Sequence, residues 1–243
     1  MKRYLAIDTS AEYLTVIAKN GETFVTFEPD CAMQHSVRLM DAVGETLERA
    51  GLKPADCDFF CAVTGPGSFT GIRIGISTVK GFCAALQRPA LGVTSFAALA
   101  YNAEGKALAA IPAGRGFYYV CGFAEDKSIT LSPAYVSGER LARLAEEYPV
   151  YAYAPLPVPY TKADPAAGLL RAVEGAKGRT SAIFRLSTSK RAKRKRSARK
   201  RAARRQRKRA LRRAKAVQNE RHRVPQVGVR GYSRHRRTGK KVL

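Results

Sequence analysis

Apolar residues recur along this chain with a period of two in some stretches and of about 3.6 in others, and the switches between them predict its elements. Arg3–Asp8 is a short apolar run closed by Asp8-Thr9-Ser10, and Tyr13–Ala18 and Thr23–Phe27 are two further β-rich runs joined through Asn20-Gly21, a hairpin-favouring dipeptide. The chain is therefore expected to open as a three-stranded antiparallel meander. From Gln34 to Ala50, Val37, Met40, Val43 and Leu47 share a helical face that ends at Gly51. Asp58–Thr64 reads as a buried strand running into Gly65-Pro66-Gly67-Ser68-Phe69-Thr70-Gly71. Ile72, Ile76, Val79 and Cys83 then share a helical face up to Leu86, and Ala90–Val93 reads as a strand. Strand, glycine-rich loop, helix and strand make an α/β unit with a parallel pair. An Ala-rich helix over Ser95–Ala103 follows.

A second series predicts strands at Ala107–Pro112, Phe117–Phe123, Ser128–Val136 and Val150–Tyr153, with a helix at Gly138–Glu147 before the last of these. Pro155, Pro157 and Pro159 make a stiff connector, Pro165–Val173 a helix, and Ser181–Leu186 a closing strand. Two successive lobes, each opening with antiparallel strands and continuing into helices, point to a duplicated architecture, although no sequence repeat accompanies it. The expected division is 1–103, 104–189 and a tail at 190–243.

Charge sets the tail apart. The 243 residues carry a net +25, but 1–189 hold 19 basic and 18 acidic residues, while 190–243 hold 25 basic residues and only Glu220. Self-repulsion and a single aromatic, Tyr232, argue against an isolated fold there, so a disordered extension is expected. If helical it is basic on every face, which leaves no apolar stripe for a membrane. RNA or another polyanion is its natural partner, with Arg194, Arg196, Arg204, Arg205 and Arg209 as phosphate contacts. The alternatives are a purely solvated extension and a reading-frame change near Ser189. No run approaches the roughly 18 apolar residues of a membrane span, and the N-terminus lacks a signal-peptide pattern, so a cytoplasmic location is expected. The five cysteines contain no CxxC pair and read as reduced, buried small hydrophobes.

Three constellations have candidate chemistry. Gly65, Gly67 and Gly71 allow positive φ and close approach, and Ser68 or Thr70 can cap the following helix, whose N-terminal amides favour an anion. The Walker pattern fails, because Ile72 and Arg73 stand where Lys and Ser/Thr are needed, and the dinucleotide fingerprint fails because its third glycine comes one residue late. A structural turn or an interface is the favoured reading. Asp8, Thr9 and Ser10 at a strand end either ligate a metal-nucleotide or satisfy the tight turn. His35 stands without a second His at metal-pair spacing, so it reads as a capping or packing residue. A Ser68-His35-Asp8 set lacks nucleophile-elbow spacing.

Leu5-Ala6-Ile7-Asp8-Thr9-Ser10, His35-Ser36, Gly65–Gly75 with Lys80-Gly81, and Gly92-Val93-Thr94-Ser95 stand in the order seen in the bacterial TsaB (YeaZ) family, which this chain resembles well over residues 1 to about 125 and weakly to about 188. The resemblance implies an α/β, actin-like (ASKHA) two-lobed fold, here with a shortened second lobe and the basic tail in place of a C-terminal helix. It also implies a non-catalytic subunit supporting TsaD, which with the ATPase TsaE installs threonylcarbamoyl on N6 of the tRNA adenosine beside the anticodon. On that reading the chain has no cofactor of its own, ATP belonging to partner proteins, and a homodimer is an alternative assembly. No catalytic or metal residue is carried over. The helices flanking the glycine-rich loop are expected to form the partner interface, through Val37, Met40, Gly75, Ser77, Lys80, Gly81 and Ala84. The competing function is a metal-dependent peptidase of the glycoprotease type.

Overall fold

The computed structural model describes residues 2–176 and the backbone of 183–184. Strands β1 (Tyr4–Asp8), β2 (Leu14–Asn20) and β3 (Glu22–Glu28) form the expected antiparallel meander, turning at Gly21 with φ 74°. After α1 (His35–Arg49), β4 (Phe59–Val63) pairs parallel to β1, and after α2 (Phe69–Leu86), β5 (Ala90–Val93) pairs parallel to β4. β11 (Ile183–Phe184) closes that edge antiparallel, giving the order β11-β5-β4-β1-β2-β3. β1 and β4 are buried at every position, as central strands covered on both faces require, which is why both read as unbroken apolar runs.

The second sheet repeats the same logic. β6 (Ala107–Gly114), β7 (Phe117–Phe123) and β8 (Ile129–Ser137) form a meander, α4 (Gly138–Glu147) follows, and β9 (Val150–Ala152) and β10 (Thr161–Lys162) add in parallel, in the order β10-β9-β6-β7-β8. Stripped of β11, the two sheets have one strand order and one set of directions. The duplication that the element order suggested is thus present in topology, and the actin-like α/β class stands.

Alternation along the strands sends side chains to two cores. Leu5, Ile7, Leu14 and Val16 pack under Leu39, Val43 and Leu47 of α1 and Val79 and Cys83 of α2. Tyr4, Ala6, Ile17 and Phe59 face the other way and meet Leu169, Ala172 and Val173 of α5 (Pro165–Ala176). That helix comes from the second half of the chain. Conversely α3 (Ser95–Ala100) follows β5 but puts Phe96, Leu99 and Ala100 against Ala107, Ala109, Cys121 and Phe123 of the second sheet. The lobes are therefore stitched by exchanged helices, and α3 and α5 touch so closely that a Cβ on Gly168 would strike the Ala98 carbonyl oxygen.

Some elements differ from their sequence reading. α2 starts at Phe69 rather than Ile72 because the Ser68 hydroxyl accepts a hydrogen bond from Gly71 N at 3.2 Å and so starts the helix inside the loop. α3 ends at Ala100, earlier than expected, in a cap whose amide bonds back to Ala97 and Leu99. β10, two exposed residues, carries no periodic signal to find. The basic tail, with the arginines singled out above as phosphate contacts, lies outside the described residues.

Candidate functional site

Local sequence explains how the glycine-rich loop meets the Asp8-Thr9-Ser10 turn. β1 and β4 are neighbours, so the turn ending β1 and the loop leaving β4 lie side by side. Ser68 N donates to the Ser10 carbonyl at 2.7 Å, and the Thr9 hydroxyl donates to the Gly71 carbonyl at 2.7 Å. A Cβ on Gly67 would strike the Ser10 carbonyl, one on Gly71 the Thr9 carbonyl, and one on Gly75 would lie 2.6 Å from Thr9 Oγ1. Gly67 also has φ 156° and Gly65 φ 96°. The glycines thus serve close approach of the chain to itself, which is the structural-turn reading, and Gly65 accepts from Ser95 N at 2.9 Å to tie in α3. The loop's remaining outer side chains are exposed, with the Arg73 guanidinium 5.2 Å from the centre of the Phe69 ring.

Asp8 is buried and engaged. Its Oδ1 accepts from Ser10 N at 2.8 Å and its Oδ2 from the Tyr13 hydroxyl at 3.0 Å. Burial raises its pKa above the ordinary carboxylate value, against the lowering effect of these hydrogen bonds. His35, at the first turn of α1, places Nε2 2.9 Å from the Tyr13 carbonyl and is itself buried. Ser68 is committed to capping α2. Asp8 and His35 thus meet at Tyr13, the carboxylate at its hydroxyl and the imidazole at its carbonyl, while Ser68 caps α2. Among the described residues no three of His, Cys, Asp and Glu gather where they could hold a metal ion. All five cysteines are free and buried.

Above this junction lies a cleft of about 400 Å³ between the two sheets, lined by Ser10, Glu12, Tyr13, Gly67, Ser68, Ser95, Ile111, Pro112 and Tyr153, among others. Tyr153 meets Tyr13 edge-on at 5.3 Å. Burial drives both phenols well above their usual pKa. Among the described residues Glu12 is the sole charged one in the lining, and none of them offers a Lys or Arg to a phosphate.

The other feature is a face. A groove of about 420 Å³ runs between α1 and α2, lined by Ser36, Leu39, Met40, Thr70, Arg73, Ile74, Ser77 and Thr78. Val37 (69% exposed) and Met40 (54%) on α1 and Phe69 (74%) at the start of α2 are large apolar side chains that stand exposed. Of the expected interface residues, Val37, Met40, Ser77, Lys80, Gly81 and Ala84 are exposed. Gly75 is not: it is buried against Thr9, because the glycine spacing in α2 serves the contact with β1. Phe69 and Met33 were missed by periodicity, since both lie in irregular or loop-edge segments where no helical repeat marks them.

Comparison with known proteins follows the same lines. The family model described as "TsaD: tRNA N6-adenosine threonylcarbamoyltransferase" matches residues 27–219. The Escherichia coli K12 protein named tRNA threonylcarbamoyladenosine biosynthesis protein TsaB is 32% identical, over 52% of this chain and 57% of that protein. The Bacillus subtilis TsaB protein is 35% identical, over 40% and 43%. The chain thus spans about half the length of the curated relatives it matches. The solved structure of YeaZ from Pseudomonas aeruginosa superimposes with a TM-score of 0.66 at 27% identity, covering 77% of this chain and 97% of that one. No helix among the described residues is long and apolar enough to cross a membrane.

Proposed function

The chain belongs to the family described as TsaD: tRNA N6-adenosine threonylcarbamoyltransferase, within its TsaB (YeaZ) branch, and from that premise we propose that it is the non-catalytic activating subunit of a tRNA threonylcarbamoyl transferase. Its work is to hold TsaD in a productive heterodimer, with TsaE as a further member and with ATP bound by those partners. The observation that carries this reading is the apolar α1–α2 face around Val37, Met40 and Phe69, beside a loop whose Ser68 hydroxyl and Gly71 carbonyl are engaged within the chain.

The mechanism follows from rigidity. The Thr9–Gly71 and Ser10–Ser68 hydrogen bonds lock the start of α2 to the end of β1, so the α1–α2 groove is preorganised and association loses little further conformational freedom. The test is copurification of the full chain with TsaD, for wild type and for Val37→Asp/Met40→Asp. A burial-driven interface should lose binding by at least about 100-fold when two charges enter its centre. Failure of the wild type to bind TsaD overturns the function. Unchanged binding by the folded double variant overturns the surface. Protease activity with stoichiometric metal would instead restore the glycoprotease reading.

A further inference from the structure

The second sheet has an open aromatic row that the partner interface does not use. Register places Ile111 of β6 opposite Tyr119 of β7, and Tyr119 opposite Tyr135 of β8, so the three side chains share one face in one lateral line. Phe117 stacks on Tyr135 with ring centres 4.8 Å apart and planes within 5°, and Tyr119 meets Tyr135 at 5.4 Å. Further along β7 the same face is covered, Cys121 and Phe123 lying under α3, and the reverse face is covered by Leu141 and Leu144 of α4. Yet Phe117 and Tyr119 are each 38% exposed and Tyr135 56%.

We propose that Phe117, Tyr119 and Tyr135 form a stacking platform for unpaired bases of single-stranded RNA. Three observations favour a base as the occupant. Rings on adjacent strands of a sheet present flat π surfaces, which any base can cover without a sequence code. The strands carry no carboxylate to repel a phosphate backbone: from residue 107 to 124 the one charged side chain is Arg115, and from 128 to 138 there is none. Arg115 sits in the β6–β7 turn between Gly114 and Gly116, two residues from Phe117, where a phosphate flanking a stacked base would meet it. The row also leads inward, because Ile111 borders the interlobe cleft of about 400 Å³. Among the described residues that cleft has serine hydroxyls, aromatic walls and Glu12 but no cation, which suits an uncharged base rather than a phosphate.

The identity of the nucleic acid as RNA rests on the tRNA-modification reading, whereas the stacking itself does not. The test uses the full chain and a short single-stranded RNA carrying 2-aminopurine, whose fluorescence is quenched by stacking. Moderately high salt suppresses purely electrostatic contacts, including those of the basic tail. Wild type should quench the probe, and Tyr119→Ala/Tyr135→Ala should weaken binding by about 5- to 100-fold per base released. Tyr119→Phe/Tyr135→Phe should retain binding, since the π faces persist, while Tyr119→Leu/Tyr135→Leu should lose it although apolar area remains. An unquenched wild-type probe, or full binding by the folded leucine variant, overturns the platform. If the alanine pair changed only the sedimentation of the chain, the face would be a contact between copies and the proposal would fail. TsaD copurification, measured separately, reports on the heterodimer and not on this platform.

Discussion

Gly71→Ala and Gly81→Ala make the same chemical change in the same helix and should move stability in opposite directions. At Gly81 an added methyl meets nothing within 4 Å, so the variant keeps every contact and gains the helix propensity of alanine, about 0.5–1 kcal/mol. At Gly71 the methyl runs into the carbonyl oxygen of Thr9, which is backbone and cannot swing aside. α2 must retreat from the end of β1. Overpacking of this kind costs about 1–3 kcal/mol, and loss of the Thr9–Gly71 hydrogen bond adds about 1 kcal/mol. After the propensity gain, Gly71→Ala should destabilise by about 1–3 kcal/mol. Urea unfolding of the full chain, followed by far-ultraviolet circular dichroism, gives both midpoints on one scale. If the two variants shifted the midpoint in the same direction, close approach would not be the reason for glycine at position 71. The same retreat should loosen the α1–α2 groove, so Gly71→Ala should also weaken TsaD binding where Gly44→Ala, with open space around it, should not.

Asp8 should make the fold prefer lower pH. Its folded pKa is raised by burial, so its stability contribution is complete below the unfolded value near 3.8 and is lost as pH rises through the folded one; Asp8→Asn removes that loss. The stability difference, wild type minus Asp8→Asn, should therefore fall as pH rises above the unfolded value near 3.8, and a gap independent of pH would refute the buried-carboxyl account. Burial pushes the thiols of Cys57, Cys83 and Cys121 up to about 11, so at pH 8 on the order of a thousandth of each is thiolate. Native chain should react slowly with a disulfide reagent and yield all five thiols only in denaturant, whereas rapid native reaction at two or more sites would contradict the packing. Ser68→Ala removes the α2 cap and should cost about 1 kcal/mol in the same urea assay.

Periodicity exposed those parts of the fold whose burial is one-sided. The body of α2 buries one stripe that includes Val79 and Cys83, as its repeat predicted, whereas in α1 the buried face runs through Leu39, Val43 and Leu47 and the expected Val37 and Met40 stand exposed. β1 and most of β2, Thr15 included, are buried on both faces. What escaped was set by long-range contact. Gly75 read as a small residue suited to helix docking, and its spacing was right, but only the fold reveals that the partner is Thr9 of the same chain. The aromatic row was hidden for a similar reason: Tyr119 and Tyr135 alternate correctly for buried positions, and it is the short reach of α3 that leaves them open. Exchange of α3 and α5 between the sheets has no local signature, since each helix is apolar on the face it buries whichever sheet receives it.

The two sheets also show where duplication stops. In the first, β4 reaches its parallel neighbour β5 through the capped, 18-residue α2, which supplies a whole layer of core and one wall of the exposed groove. In the second, β9 ends at Ala152 and its parallel neighbour β10 begins at Thr161, and the proline-rich connection between them forms no helix. Parallel strands ordinarily need about a dozen residues and a helix to cross over, so this shorter link leaves β10 only two residues of pairing. Val158 is its main buried anchor, and α4 is left as the helix on that face. The shortened second lobe is therefore missing the counterpart of α2 itself, and with it any second glycine-locked groove. The first lobe exposes a helix pair that includes its crossover helix, whereas the aromatic row of the second lies on the α3 face of its sheet, opposite the face from which the crossover helix is missing.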